Sequence, residues 1–253
     1  MTTQRLDVML AETGGAPSRA QAQQAIVAGR VRVNGLVVTK ASQIIRYEDE
    51  VAIDTDSWVS RGARKLVGAL DDTGLSVPKR CLDAGASTGG FTQVLLTRGA
   101  ARVYAVDVGH GQMDPQVAAD PRVVLQEGVN IKDLRLSDLD DEPVGLGVAD
   151  LSFISLTVVL PALLPLIEPS GHALLLVKPQ FEVGRAGLPS SGVVRDDRQR
   201  RAVVDNVAAA ASALGWCERW RGPSHLPGGC GNQEYFLLLS RLSPGRENVG
   251  AGD

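Results

Sequence analysis

The sequence predicts an α/β protein, a mostly parallel, Rossmann-like sheet with helices on both faces, preceded by a small α+β domain. Three observations carry this. From residue 64 to residue 242, short apolar runs alternate with helical periodicities, the pattern of strands joined by crossover helices. A glycine-rich turn, Ala84-Gly85-Ala86-Ser87-Thr88-Gly89-Gly90, leaves the first of those runs and enters a helix. Residues 1–53 instead show two short helical periods followed by a hairpin signal.

In that first segment Leu6, Met9 and Leu10 stand at helical spacing, and Gly14 and Gly15 end the helix. Ser18 is a candidate N-cap for a second helix running through Ala28, with Ala22, Ala25 and Ile26 on one face and Gly29 as its stop. Val31–Val33 and Leu36–Val38 flank Asn34-Gly35, the residue pair that a two-residue hairpin turn requires. Residues 54–63 read as a polar linker around Trp58, and a helix is predicted from Arg64 to about Asp72. Strands follow at 80–84, 102–106, 122–126, 145–150, 173–177 and 234–240, with helices at 90–97, 156–167 and 198–214. The domain boundaries that result are 1–53, 54–63 and 64–242. The polar, glycine-rich tail at 243–253 is predicted to be disordered.

Composition narrows the function. A net charge of −3 excludes a generic polyanion binder, so any nucleic-acid contact must come from local patches. Cys81, Cys217 and Cys230 are far apart, and His110, His172 and His225 form no ligand-spaced group, so neither a metal site nor a disulfide framework is predicted. The opening MTTQRLDVMLAE lacks the parts of a signal peptide, which together with the free thiols predicts a cytoplasmic protein. Residues 151–167 are short for a membrane span and are broken by Pro161 and Pro165, so no membrane association is predicted. Nothing in the pattern demands more than a monomer.

The glycine turn asks for a nucleotide-type cofactor. Asp83 stands just before the first glycine, where it would repel a pyrophosphate but could hold an ammonium group. Asp107, ending the next predicted strand, is placed for a ribose diol. Paired acids around D-x-G-x-x-x-G favour S-adenosylmethionine over a dinucleotide. The candidate cofactor residues are Asp83, Gly85, Ala86, Ser87, Thr88, Gly89, Phe91 and Asp107.

Asp150 and Lys178 end later strands, where ligands bind in open α/β sheets. Lys65 lies on the helix before the first strand, and Glu234 opens the final one. Methyl transfer to a hydroxyl requires that its proton be removed or polarised, which a lysine with a lowered pKa can do while carboxylates orient it.

Residues 1–53 resemble the S4-like RNA-binding module, through Arg5-Leu6-Asp7, Ser18-Arg19 and the run Gly29-Arg30-Val31-Arg32-Val33-Asn34-Gly35. Residues 58–242 are similar to the FtsJ-like ribose methyltransferases. In order, Trp58-Val59-Ser60-Arg61-Gly62, DAGASTGGF, ADLSFIS, VKPQFEVG, GVVRD and GNQEYF resemble the hemolysin-named TlyA family. That resemblance implies a class I methyltransferase fold with a seven-stranded sheet, S-adenosylmethionine as cofactor, and 2′-O-methylation of cytidine in ribosomal RNA. It carries a catalytic tetrad onto Lys65, Asp150, Lys178 and Glu234, with Lys178 as the main base, and adds Asn130 and Asp150 to the cofactor residues. Lys132 stands where the family pattern has arginine.

The partner implied is ribosomal RNA or a ribosomal subunit. Residues 1–53 carry a net charge of only +1, but their acids cluster at Glu48, Asp49 and Glu50. Arg5, Arg19, Arg30 and Arg32 are left to form a patch, which Arg61 could extend, able to position folded RNA through its phosphates. A methyltransferase acting on another RNA or a non-RNA acceptor is the alternative. A membrane-active hemolysin is disfavoured by the broken apolar stretch.

Overall fold

A computed structural model describes residues 3–16, 18–27, 29–53 and 58–241, with 185 and 186 by their backbone alone. The chain divides into two compact units, Met1–Arg64 and Lys65–Asp253.

The first unit contains β1 (Thr3–Arg5), α1 (Leu6–Glu12), α2 (Arg19–Val27), β2 (Val31–Val33), β3 (Leu36–Val38), β4 (Ile44–Arg46) and β5 (Val51–Ile53). The Ser18 hydroxyl accepts a hydrogen bond from the Gln21 N–H at 3.2 Å, as an N-cap does. Ala28, the predicted end of α2, lies outside the described residues. Asn34 and Gly35 take φ values of 51° and 78°, the left-handed pair of a type I′ turn. The single small sheet predicted here is in fact two. β2 is flanked by β3 and β5, whereas β1 pairs with β4 alone. Strands of three residues are too short to show a period, which is why β1, β4 and β5 escaped the sequence reading. Leu6, Leu10, Ala22, Ile26, Val31 and Ile45 form the core.

Asp7 of α1 is fully buried as well. Its carboxylate accepts from Arg5 Nε and Nη2 at 2.9 and 3.0 Å, from Arg19 Nε at 3.0 Å and from Gln23 Nε2 at 2.7 Å. A buried carboxylate is tolerated only when paired and hydrogen-bonded in this way.

The boundary in sequence falls within α3 (Arg61–Thr73), which begins three residues before the predicted start, so the end of the predicted linker is helical. Residues 54–57 and the tail 243–253 lie outside the described residues. The second unit continues with β6 (Arg80–Ala84), α4 (Gly90–Thr97), β7 (Arg102–Asp107), α5 (Pro115–Ala118), β8 (Val123–Glu127) and β9 (Val144–Ala149). Then come α6 (Leu156–Leu163), β10 (Ile167–Val177), α7 (Pro179–Glu182), α8 (Gly184–Gly187), α9 (Asp197–Ala213), β11 (Trp216–Pro223) and β12 (Tyr235–Arg241).

These strands form one seven-stranded sheet in the order β11-β12-β10-β9-β6-β7-β8. Pairing is parallel from β8 through β10, while β12 runs antiparallel to both β10 and β11. Both faces are covered. Leu82, Tyr104, Val106, Leu175, Val177, Leu237 and Leu239 bury into one cluster, and their alternates Val103, Ala105, Leu174, Leu176 and Phe236 are buried as well. Burial on both sides explains why the strands read as continuous apolar runs.

Two strands departed from expectation. β10 begins at Ile167, because Pro169-Ser170-Gly171 belongs to an irregular stretch of pairing with β9 and not to a turn. A Cβ at Gly171 would stand 2.7 Å from the Gly145 carbonyl oxygen, so only glycine allows that close approach. β11 was not predicted, because Glu218, Arg219 and Arg221 interrupt its apolar alternation. It is one of the two edges of the sheet, where charges discourage pairing with another chain. The helix predicted at 156–167 is α6 followed by a 3₁₀ turn, Leu164–Leu166. No described helix is long and apolar enough to cross a membrane.

Asp7→Asn should cost the first unit about 2 kcal/mol, since it removes charge-assisted hydrogen bonds. Chiefly the Arg5 guanidinium holds the Asp7 carboxyl well below the usual carboxylate range. That stabilisation is therefore complete above an ordinary aspartate pKa of about 4 and is lost as pH falls through the depressed value. Amide-exchange protection factors across α1 should fall in the variant and lose their acid dependence. Unchanged protection would show that Asp7 does not hold this unit together.

Candidate active site

The turn after β6 is pinned from both sides. Gly85 and Ala86 donate their N–H groups to the Val106 carbonyl at 2.8 and 3.1 Å, and Asp150 N–H donates to the Ala84 carbonyl at 3.0 Å. Gly85 has φ +85°, and a Cβ there would stand 2.9 Å from the Asp150 carbonyl oxygen. Its glycine is thus required by the protein's own packing, in addition to any ligand. Gly89, at φ +87°, leads into α4 with Val117 and Met113 close against it. Ser87 and Thr88 are exposed on the turn, and Ala86 is buried. Phe91 faces away into the core, its ring stacked on Phe236 at 6.2 Å, so only its backbone adjoins the turn.

Three acids meet at this turn. Asp83 is fully buried, and its Oδ2 accepts from the Thr92 hydroxyl at 2.7 Å. Its Oδ1 is buried with no hydrogen-bond partner among the described residues. Burial, with Asp150 and Asp107 adding repulsion, pushes the Asp83 carboxyl up to about 7. A cation placed at Oδ1 would relieve both penalties. Asp107 ends β7 and accepts from the backbone N–H groups of Ser87 and Gly109 at 2.8 and 2.7 Å. Each of its oxygens retains a lone pair for a further donor. The Val129 N–H bonds the Asp107 carbonyl at 3.0 Å, which brings the neighbouring Asn130 to the same end of the sheet. The Asn130 side chain accepts from Lys132 N–H.

The four lysine and carboxylate candidates form two ion pairs. Lys178 Nζ lies 2.7 Å from Asp150 Oδ1 and donates to Ser152 Oγ at 2.9 Å. The approach to Asp150 is a close charge contact, whereas the better-directed hydrogen bond goes to Ser152. Both charged groups remain partly accessible, at 11% and 22% of their side-chain surface. Lys65 Nζ and Glu234 Oε2 are 2.6 Å apart and buried. Gln180 Nε2 donates to Glu234 Oε1 at 3.3 Å, so the residue two places after Lys178 touches the second pair.

Local sequence explains the placement. Lys178 is the N-cap of α7, and Pro179 at the first helical position forces the strand to end there. Glu234 immediately precedes β12, and Tyr235 lies opposite Val177, so the antiparallel strand delivers Glu234 beside the end of β10. The glycine at 228 lets the preceding loop close over Glu234, because a Cβ there would stand 2.5 Å from Oε1. Sequence reasoning did not single out Thr92, Ser152 or Gln180. The last two lie inside the ADLSF and VKPQF motifs, but Thr92 had no signal beyond sitting on the helix after the turn.

Of the arginine candidates, Arg5 and Arg19 are brought together on Asp7, each with over a third of its side chain exposed. Arg32 lies on β2 and donates to the Gly35 carbonyl at 3.3 Å. Arg30 just precedes that strand with a buried Nε. Arg61 opens α3.

The sequence profile of the FtsJ-like methyltransferases matches residues 58–241, and that of the S4 domain matches residues 4–51. A Mycobacterium tuberculosis protein named 16S/23S rRNA (cytidine-2′-O)-methyltransferase TlyA is 48% identical over 93% of this chain and 89% of its own. Hemolysin A of Brachyspira hyodysenteriae is 39% identical over 92% of this chain and 98% of its own. A solved Streptococcus thermophilus structure, described as a hemolysin, matches with a TM-score of 0.75 at 35% identity, covering 98% of this chain and 92% of that one. With a family profile over most of its length and relatives this similar, the chain belongs to the TlyA family of FtsJ-like methyltransferases that carry an S4 domain.

Proposed function

We propose that this chain transfers a methyl group from S-adenosylmethionine to the 2′-hydroxyl of a cytidine in ribosomal RNA, acting in the cytoplasm as a monomer on the RNA or a ribosomal subunit. The observation that carries the reading is an accessible lysine–carboxylate pair, Lys178 and Asp150, at the same sheet end as a buried, half-satisfied carboxylate, Asp83. The name of the Mycobacterium tuberculosis relative supports the substrate.

When bound, S-adenosylmethionine supplies a methyl carbon activated by a sulfonium. Asp83 Oδ1 suits the cofactor's ammonium, and the spare lone pairs of Asp107 suit its ribose hydroxyls. Gly85, Ala86, Ser87, Thr88, Gly89 and the Phe91 backbone form the wall of the turn, with Asn130 and Asp150 beside it. Lys178 accepts the proton of the 2′-hydroxyl while that oxygen becomes the nucleophile, and Asp150 pairs with the ammonium that results. Asp150 and Ser152 fix the amine's direction. Lys65 and Glu234, being buried, act through position and not by contact with the substrate. Arg5, Arg19, Arg30, Arg32 and Arg61 supply phosphate contacts that orient the RNA. In this reading residues 1–53 dock the substrate, 54–63 link, and 64–242 carry the chemistry.

Labelled methyl transfer to unmodified ribosomal subunits, mapped by mass spectrometry, should yield 2′-O-methylcytidine. Lys178→Ala should lower the rate by about 10²–10⁴-fold with cofactor affinity retained, the usual size of a general-base contribution. Wild-type turnover in that variant would remove Lys178 as the base. Lys65→Ala should behave differently, because it leaves Glu234 buried without its cation. It should lose about 3–5 kcal/mol of stability, visible as a lower thermal midpoint that Lys178→Ala does not share.

Cofactor binding should also depend on pH through Asp83. Below about 7 this carboxyl is protonated and neutral in the free protein, and above it the carboxylate attracts an ammonium. Affinity should therefore rise from about pH 5 to about pH 7, with proton release on binding over that range. Calorimetry in buffers of different ionisation enthalpy reads the release directly, and Asp83→Asn should abolish it.

A further inference from the structure

The segments that follow β9 and β10 run side by side and touch at three levels. At the first, Lys178 meets Asp150 and Ser152 at 2.7 and 2.9 Å. At the second, the rings of Phe153 and Phe181 lie 5.1 Å apart. At the third, the Glu182 carboxylate accepts from the Ser155 hydroxyl at 2.6 Å and from the Leu156 N–H at 2.8 Å. Ser155 and Leu156 are the N-cap and first residue of α6, so Glu182 places its charge on that helix's N-terminus, where the dipole favours it.

Phe153 sits between the first and third levels at φ +64°. A bulky residue in the left-handed region persists only where its surroundings over-determine the backbone. Here the surroundings are the two flanking attachments. The Lys178 attachment belongs to the chemistry, whereas the Glu182 attachment lies outside it. Burial raises the affinity of Glu182 for its proton, and the two hydrogen bonds from α6 oppose that.

We propose that Glu182 is a positioning residue for Lys178. By clamping the start of α6 to the end of α7, it keeps the strained 150–155 segment in the one conformation that presents Asp150 and Ser152 to the lysine amine. Released, the segment relaxes at Phe153 and Ser152 withdraws from Nζ. This inference rests on Lys178 being the proton acceptor proposed above.

The test compares Glu182→Ala, Glu182→Gln and Ser155→Ala with the wild-type full-length chain. Glu182→Ala should lower the methyl-transfer rate at saturating S-adenosylmethionine and ribosomal subunits about tenfold or more, with cofactor affinity and KM for the subunit little changed. Hydrogen exchange should rise in peptides covering 150–157 and remain unchanged across the rest of the sheet. Glu182→Gln should recover part of the rate, because its carbonyl oxygen still accepts one of the two hydrogen bonds, and Ser155→Ala should fall between the two. A wild-type rate in Glu182→Ala, or exchange rising throughout the unit with no rescue by glutamine, would overturn the proposal. If the wild-type chain itself transfers no methyl group to either subunit, the proposed function fails instead. The exchange data alone then decide whether the clamp exists.

Discussion

Asp83, Asp107, Asp150 and Lys178 reach one end of the sheet because β6, β7, β9 and β10 are parallel neighbours, so each strand ends on the same side. Glu234 joins them only because β12 runs the other way, with its first residue opposite the last of β10. Reversing that one strand would carry Glu234 about 20 Å off, the length of a seven-residue strand. The pairing of Lys178 with Asp150 follows from this arrangement of directions, whereas that of Glu234 also needs Lys65 on α3. The glycine turn is part of it, since Gly85 lies between the ends of β7 and β9 where no side chain would fit.

The two lysine–carboxylate pairs have similar geometry and different energetics. Burying Lys65 with Glu234 takes two charges out of water, a cost that their attraction only roughly offsets, so such a pair is poor evidence for stability. What it does provide is a defined spacing between α3 and the start of β12, with Gln180 attached to the same carboxylate. The pair of Lys178 and Asp150 stays partly in solvent, which leaves the amine reachable by a substrate. The neighbouring acids impose the opposite tendency. Asp83 is crowded by Asp107 and Asp150 and shielded from water, so the turn favours a positive group or a proton at that point.

The first unit shows how a module with little net charge can still present directed cations. Asp7 consumes part of the positive charge of Arg5 and Arg19, yet it fixes both guanidinium groups in one place. Long side chains held in advance lose less entropy when they meet a phosphate. That favours positioning over bulk electrostatic attraction, in keeping with a chain whose overall charge is −3.

Much of this was legible in the sequence. Alternating apolar runs announced the sheet, Asn34-Gly35 the hairpin, and D-x-G-x-x-x-G the strand-to-helix turn, because each depends on local backbone geometry that a few residues dictate. The ends of strands also marked Asp107, Asp150 and Lys178. What was missed was short, irregular or charged: the three-residue strands β1, β4 and β5, which no turn signal marked, the Pro169-Ser170-Gly171 stretch inside β10, and the edge strand β11. Only the tertiary structure paired Lys65 with Glu234, put the Phe91 ring in the core, bound Arg5 and Arg19 to Asp7, and set Glu182 on the start of α6. Those contacts join residues distant in sequence, and their existence depends on strand order and direction. A hydrophobic period reports which face of an element is buried, but carries no information on which partner lies against it.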